Sequence, residues 1–398
     1  MRIKGYVSLN SPFLFSFMWS LYIFSYFIFT ASEYSYKLNG VALFHIEQYG
    51  IILVLLFTVL INKYDRYTLL KYLMFALFSL LMQIHSTDKT LLILTLFVMS
   101  SRGLTFKKII KLDMIVKATI LFLVVGSCLL GIIDNYSADI NGTFKQSFGF
   151  SHPNNFGGLC YIILCEFMML NWKDLKLRHF VCIICLGFGV ILISGSRTMG
   201  YTFFLIYFLL LLYRHFPRLY TLKLIRLLFI IAMPVMFFTS FTLVKMYDEH
   251  NKLAIKLNDI LTTRISLASN FLKMYDVKLW GQEVEMISTR AAEKLHVRPM
   301  ILDNAYVKGT LLYGLLFMIF LTIAYMLLMN YFFKAKKVEY AIFSLYFILI
   351  GIGESYMLNI VFNTTLLLII EHTIEKFSLL DIINDIRNGR MPIWKKQV

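Results

Sequence analysis

The feature that most constrains this chain is a succession of apolar blocks, many close to 20 residues long, separated by short connections that hold most of the charge. A helix needs about 20 mostly apolar residues to cross a hydrocarbon core of roughly 30 Å. Within that core every backbone polar group must be satisfied inside the segment, so blocks of this length read as helices. They fall at 12–31, 42–61, 69–86, 90–101, 113–133, 153–172, 179–195, 199–213, 224–244, 305–333, 338–358 and 360–373. The pattern predicts an all-α, polytopic integral membrane protein of about twelve spans, with a single membrane domain over 1–398. The first block is longer than a signal-peptide core and many blocks come after it, so it reads as an uncleaved span.

Composition points the same way, with 59% hydrophobic and 16% charged residues, against about 45–50% and 25% in a soluble chain. A formal net charge of +16 would suggest nucleic acid in a soluble protein. Here the cations cluster at Lys63/Arg66/Lys71, Arg102/Lys107/Lys108/Lys111, Lys173/Lys176/Arg178, Arg214/Arg218/Lys223/Arg226 and Lys334/Lys336/Lys337, in every second connection. The positive-inside rule makes those connections cytoplasmic, together with the N-terminus and the tail at 374–398. The expected partner of this charge is the lipid bilayer, with no nucleic acid. The five cysteines lie in apolar blocks and read as helix packing, because Cys182-Cys185 has no companion pair or histidine.

Two segments remain on the opposite, extracytoplasmic side: a short one at 134–152 and a long hydrophilic one at 245–304. Long loops in compact proteins are usually functional or disordered, and this one carries helical patterning. At 100° per residue, 251–275 places Leu253, Leu257, Ile260, Leu267, Ala268, Phe271 and Tyr275 on one stripe of an amphipathic helix that would rest on the membrane or cap the bundle. Arg264 falls in the middle of that stripe. A guanidinium there is costly unless it meets an anion or snorkels to the headgroups.

Other polar residues gather at helix ends on the same side. Ser194-Gly195-Ser196-Arg197-Thr198 joins two spans, and Arg197 stands where short-loop cations are otherwise scarce. Ser100-Ser101-Arg102-Gly103 is similar but lies on the cytoplasmic side, where Arg102 reads as a topology anchor. His152-Pro153-Asn154 opens a span, with proline in the first turn and Ser151 as the expected N-cap. Asp303-Asn304-Ala305-Tyr306 opens another, with Lys308 one turn in. Asp303 suits a helix start; Lys308 and Glu354, at similar depths, suggest an intramembrane ion pair. Glu166 lies deeper and reads as a structural partner for a cation. No Walker loop, GxGxxG, HExxH or DxD is present and the eight histidines are scattered, so neither a metal nor a cofactor is expected.

Taken together, GFSHPNNFG, SGSRT, TRISLASNFLKMYDVKLWGQ, LDNAYVKGTLLYG and GIGESYMLN, in that order over about 145–360, resemble the bacterial surface-polysaccharide polymerases of the O-antigen polymerase/ligase superfamily, the Wzy-type proteins of capsule and exopolysaccharide synthesis. The resemblance implies a GT-C-like membrane glycosyltransferase in the cytoplasmic membrane of a bacterium. Its substrate would be an undecaprenyl-diphosphate-linked oligosaccharide, and its partners a flippase and a chain-length regulator. The growing chain would pass from its lipid diphosphate to a sugar hydroxyl of the incoming unit. Arg197 and Arg264 would bind the diphosphate, since arginine meets phosphate oxygens bidentately and stays charged. Asp303 would be the base and His152 would bind the acceptor, with His152 the alternative base and Glu354 free for catalysis if Lys308 does not hold it. Asn154, Asn304, Tyr306 and Lys308 would contact substrate. Asp303 stands where the related ligases commonly have histidine, a departure that favours polymerase over ligase. The competing reading is a lipid-linked oligosaccharide flippase or other transporter, which would show repeats and Gly- or Pro-broken helices near the midplane; neither is evident in the sequence. A membrane scaffold would leave the ionisable groups without a role.

Overall fold

The computed structural model describes residues 11–369 except 63, 65, 87, 102, 103, 141, 142, 249, 250, 262, 289–291, 293–295 and 298. The tail at 374–398 and Arg102 therefore lie outside the described residues. The chain runs α1 (Ser11–Phe29), α2 (Tyr34–Lys37), α3 (Gly40–Ile61), α4 (Arg66–Ser86), α5 (Thr90–Ser100), α6 (Phe106–Leu129), a hairpin of β1 (Ser137–Ile140) and β2 (Thr143–Gln146), α7 (Pro153–Asn171), α8 (Leu177–Ser194), α9 (Arg197–His215) and α10 (Lys223–Lys245). It continues through α11 (Lys252–Ile260), α12 (Arg264–Met274), α13 (Ala305–Tyr313), α14 (Leu315–Lys334) and α15 (Val338–Ile350) to a 3-10 turn at Ser355–Leu358. The small antiparallel hairpin pairs Ser137 with Gln146 and Ala138 with Lys145.

Among the described residues, six helices are long and apolar enough to cross a membrane: α1, α3, α4 over Thr68–Ser86, α6, α10 and α14. Their outward faces are as apolar as their inward ones. Leu53, Leu60, Leu77, Phe122 and Phe238 are all exposed, and contiguous apolar surface on that scale marks contact with lipid rather than water. The protein is thus an α-helical membrane protein. The inward faces form one hydrophobic core that runs through every long helix.

Among the described residues, two buried ion-paired clusters interrupt that core. In the first, Lys117 of α6 is fully buried, paired with Asp113 one turn earlier and with Glu166 of α7 at 3.2 Å. The Trp19 indole N–H of α1 donates to Asp113 at 3.0 Å. Glu166 therefore meets the cation expected of it, and α1, α6 and α7 are fastened together at that depth. The second cluster, centred on Arg264 and Glu354, lies at the end of the bundle where α7 and α13 begin.

The structure departs from the sequence expectation at several elements. The block at 305–333 is two helices, broken at Gly314 with φ of +91°. A side chain there would lie 2.2 Å from the Leu279 carbonyl oxygen, because the long loop packs its backbone into the break. The groups freed by the break are taken up by that loop: Gln282 N–H donates to the Leu311 carbonyl at 3.1 Å and Leu315 N–H to that of Lys278 at 3.0 Å. A glycine-broken helix is therefore present. The 338–358 block is helical only to Ile350; beyond it Gly351–Glu354 turn out of the helix and carry Glu354 sideways. The amphipathic helix over 251–275 is also two, because Thr263 adopts a left-handed φ of 65°. Ile260 is exposed as a result, while Ile265, Ala268 and Phe271 of α12 pack inward. Cys160 and Cys165 are buried as expected, but Cys182 and Cys185 lie on the exposed face of α8.

Candidate functional site

The starts of α7, α9, α12 and α13 and the ends of α1, α10 and α15 converge at one end of the bundle. α7 begins at Pro153, whose missing N–H costs nothing in the first turn. Its N-cap is His152 rather than Ser151: the Nδ1 atom accepts from the Asn154 N–H at 3.1 Å. Ser151 instead accepts from the Asn155 side-chain amide at 3.0 Å. With Nδ1 occupied as acceptor, the neutral ring carries its proton on Nε2. Burial pushes the His152 pKa down to about 4, with nearby Asp303 acting in the opposite direction. At neutral pH the imidazole is uncharged.

α13 is capped by Asn304, whose Oδ1 accepts from the Val307 N–H at 3.1 Å. Its amide nitrogen donates to Ser240 of α10 at 2.7 Å and to the Ile352 carbonyl at 3.1 Å. Asn304 therefore stitches three elements together. Tyr306 is fully buried and donates to the Ile348 carbonyl at 2.7 Å. Both residues build the site's frame, and Asp303, just before the cap, is left facing the cavity.

Arg264 opens α12 and reaches into the bundle. Its guanidinium lies 2.6 Å from Glu354 and 3.5 Å from Asp303, and it also donates to the Gly353 carbonyl. The anion it requires is supplied by the protein. The partner of Glu354 is thus Arg264, not Lys308. Lys308 instead approaches Ser355 Oγ at 3.5 Å. Glu354 also accepts from the Asn154 side chain at 3.2 Å, and Asn154 in turn accepts from Ser196 at 3.4 Å. This network runs from α12 through the end of α15 to α7 and the Ser194-Ser196 turn. Tyr356 extends it by donating to Asn155 at 2.9 Å.

Arg197 is the first residue of α9, exposed, with no carboxylate in ion-pair range among the described residues. Beside it stands Lys145 of β2, a residue the sequence patterns do not single out. Its aliphatic stem lies on Gly195, where an added methyl would come within 2.5 Å of it. Burial lowers the Lys145 pKa, and Arg197 and Arg264 lower it further. Three cations thus act on one another here. Glu354 and Asp303 balance Arg264, which leaves the charges of Lys145 and Arg197 available to an anion. The only sequence signal for Lys145 was its place in the short segment ahead of GFSHPNN.

A cavity of about 800 Å³ opens over this network. His152, Asn154, Asp303 and Glu354 are among the residues that line it. Asp303 is the more accessible carboxylate, with 30% of its side chain exposed against 6% for Glu354. The arrangement offers an accessible carboxylate, an uncharged imidazole N–H donor and an adjacent pair of cations, all at the ends of apolar helices. Comparison with protein families, with curated proteins and with solved structures found no match for this chain.

Proposed function

We propose that the protein is a polysaccharide polymerase that joins undecaprenyl-diphosphate-linked repeat units at the extracytoplasmic face of a bacterial cytoplasmic membrane. On this reading the chain crosses about twelve times in a GT-C-like arrangement, with both termini cytoplasmic and the 245–304 segment outside. The observation that carries it is cavity-facing Asp303 held by Arg264 at 3.5 Å, with Lys145 close enough to Arg264 and to Arg197 to act together with them at one membrane-helix end. An acceptor hydroxyl gives its proton to Asp303 as its oxygen bonds to the donor's anomeric carbon. The bond from that carbon to the lipid diphosphate breaks, and the leaving diphosphate keeps the electron pair. Arg197 and Lys145 meet its charge, a task that fixed cations perform without a metal ion. Arg264 holds the two carboxylates in place and adds its field to that of the other cations. Glu354, bound by Arg264, orients Asn154.

The test is purified protein with lipid-linked repeat units at saturating acceptor. Asp303→Asn should lose transfer while substrate still binds. Wild-type turnover by that variant removes Asp303 as base.

One observation favours a second reading. The α13–α14 break and the buried non-helical stretch after α15 are of the kind that line transporter sites. A lipid-linked oligosaccharide flippase would be separated by deletion: loss of a polymerase leaves single repeat units displayed outside, and loss of a flippase leaves none.

A further inference from the structure

The cavity lining is of two unlike kinds. Besides His152, Asp303 and Glu354, it takes in the corner between α1 and α3 and the approach to β1. Tyr26, Thr30, Ser35, Tyr36, Asn39 and Tyr136 face the cavity there, and none is charged. Rings with polar tips, short hydroxyls and an amide suit a neutral, polyhydroxylated ring, whose C–H face lies on an aromatic and whose hydroxyls meet the polar atoms. A phosphate would call for cations.

The corner is also held in register with the ionic side. Glu33 N–H donates to the Gly149 carbonyl at 2.9 Å and Ser151 N–H to that of Ala31 at 3.0 Å, around a bridge between Ser32 and Phe150. The strap runs directly into His152. On the other flank, Tyr26 Oη accepts from Asn359 at 3.0 Å, just past the turn that carries Glu354. These bonds tie the aromatic wall to the segments that carry His152 and Glu354.

We propose that this corner is a saccharide subsite, with Tyr36, Asn39 and Tyr136 holding a neutral sugar of the incoming repeat unit so that one hydroxyl stands at Asp303. The assignment to the acceptor rests on the polymerase reading; the binding of a neutral saccharide does not.

The test uses the full-length protein in nanodiscs with two readouts. The first is binding to an array of neutral bacterial glycans. The second is transfer, with single lipid-linked units titrated against a fixed amount of lipid-linked chain. Tyr36→Ala and Tyr136→Ala should weaken array binding and raise the acceptor KM by about tenfold, leaving kcat and donor KM within about twofold. Tyr36→Phe should keep most of both because it keeps the ring. Asn39→Gly preserves the left-handed backbone, φ of 49°, and should lose only the amide's share. Asn39→Gly decides the matter if the alanine forms do not fold. The subsite is overturned if wild type binds no glycan, or if Tyr36→Ala, Tyr136→Ala and Asn39→Gly bind and transfer as wild type does. A rise in donor KM alone overturns the acceptor assignment. Tyr36-dependent glycan binding without any transfer leaves the subsite standing and removes the polymerase.

Discussion

Arg264 and Glu354, 90 residues apart in the chain, meet at 2.6 Å with only 10% and 6% of their side chains exposed. The pair ties the long loop to the end of α15, beneath the cavity. Removing one partner leaves the other buried and uncompensated, which costs about 3–5 kcal/mol. Arg264→Met and Glu354→Leu should each lower the unfolding midpoint in detergent sharply, and the double change should cost clearly less than the sum. Lys308→Ala combined with Glu354→Ala should be close to additive, because those two side chains do not pair. Additivity for Arg264 with Glu354 would refute the role assigned to the pair.

Lys145 and Arg197 should act on the donor. Arg197→Lys keeps charge but loses the planar fork, and Arg197→Ala loses both; donor KM should rise about tenfold or more in each. The depressed pKa of Lys145 means that it sheds its proton at lower pH than an ordinary lysine. Donor affinity should therefore fall early on the alkaline side, and Lys145→Arg should move that fall to higher pH. An unchanged alkaline limb in Lys145→Arg would remove Lys145 from the donor site.

His152 should make no contribution to an activity limb near pH 6.5, because its folded pKa lies at about 4. Its effect on stability has a definite sign. The unfolded chain takes up the proton first as pH falls below about 6.5, so the contribution is complete above that pH and is lost on the way down to about 4. His152→Asn retains an N-cap acceptor and should flatten the dependence of unfolding midpoint on pH between these limits, while raising the acceptor concentration needed. An unaltered pH dependence would show that the ring titrates normally.

Lys117 should matter for stability and not for chemistry. Lys117→Ala strands two buried carboxylates and should destabilise by about 3–5 kcal/mol. Replacing Asp113, Lys117 and Glu166 together by Leu, Met and Leu should restore most of the loss, with transfer kept. Loss of transfer in a stable triple variant would indicate that this cluster also serves the reaction.

Block length and burial cost were the two features legible in the sequence. The blocks at 12–31 and 42–61 announce themselves by length, and the helices Ser11–Phe29 and Gly40–Ile61 fall on them. Arg264 and Glu166 were conspicuous because each put a charge where one is costly, so each implied a partner. The identity of the partner was not legible: Lys308 and Glu354 have similar depths, but depth says nothing about which face of a helix looks inward. The turn after Ile350 decides that, and it depends on how Ala305 N–H meets the Gly351 carbonyl at 2.8 Å. Lys145, Tyr36 and Asn39 were invisible for a different reason. They lie in short polar stretches with no periodicity, and only the strap between Ala31 and Ser151 brings the corner between α1 and α3 to the start of α7.

The break at Gly314 has a consequence for how the chain is made. The loop backbone at Lys278 and Gln282 is synthesised before the helices whose open groups it fills at Leu311 and Leu315. α13 and α14 cannot insert as one continuous rod and then wait, because the groups between them find their partners only in a segment already delivered to that end of the bundle. The seam between loop and helices can therefore close only after Leu315 has been made, and a chain halted before Leu315 would lack the bond from that residue to Lys278.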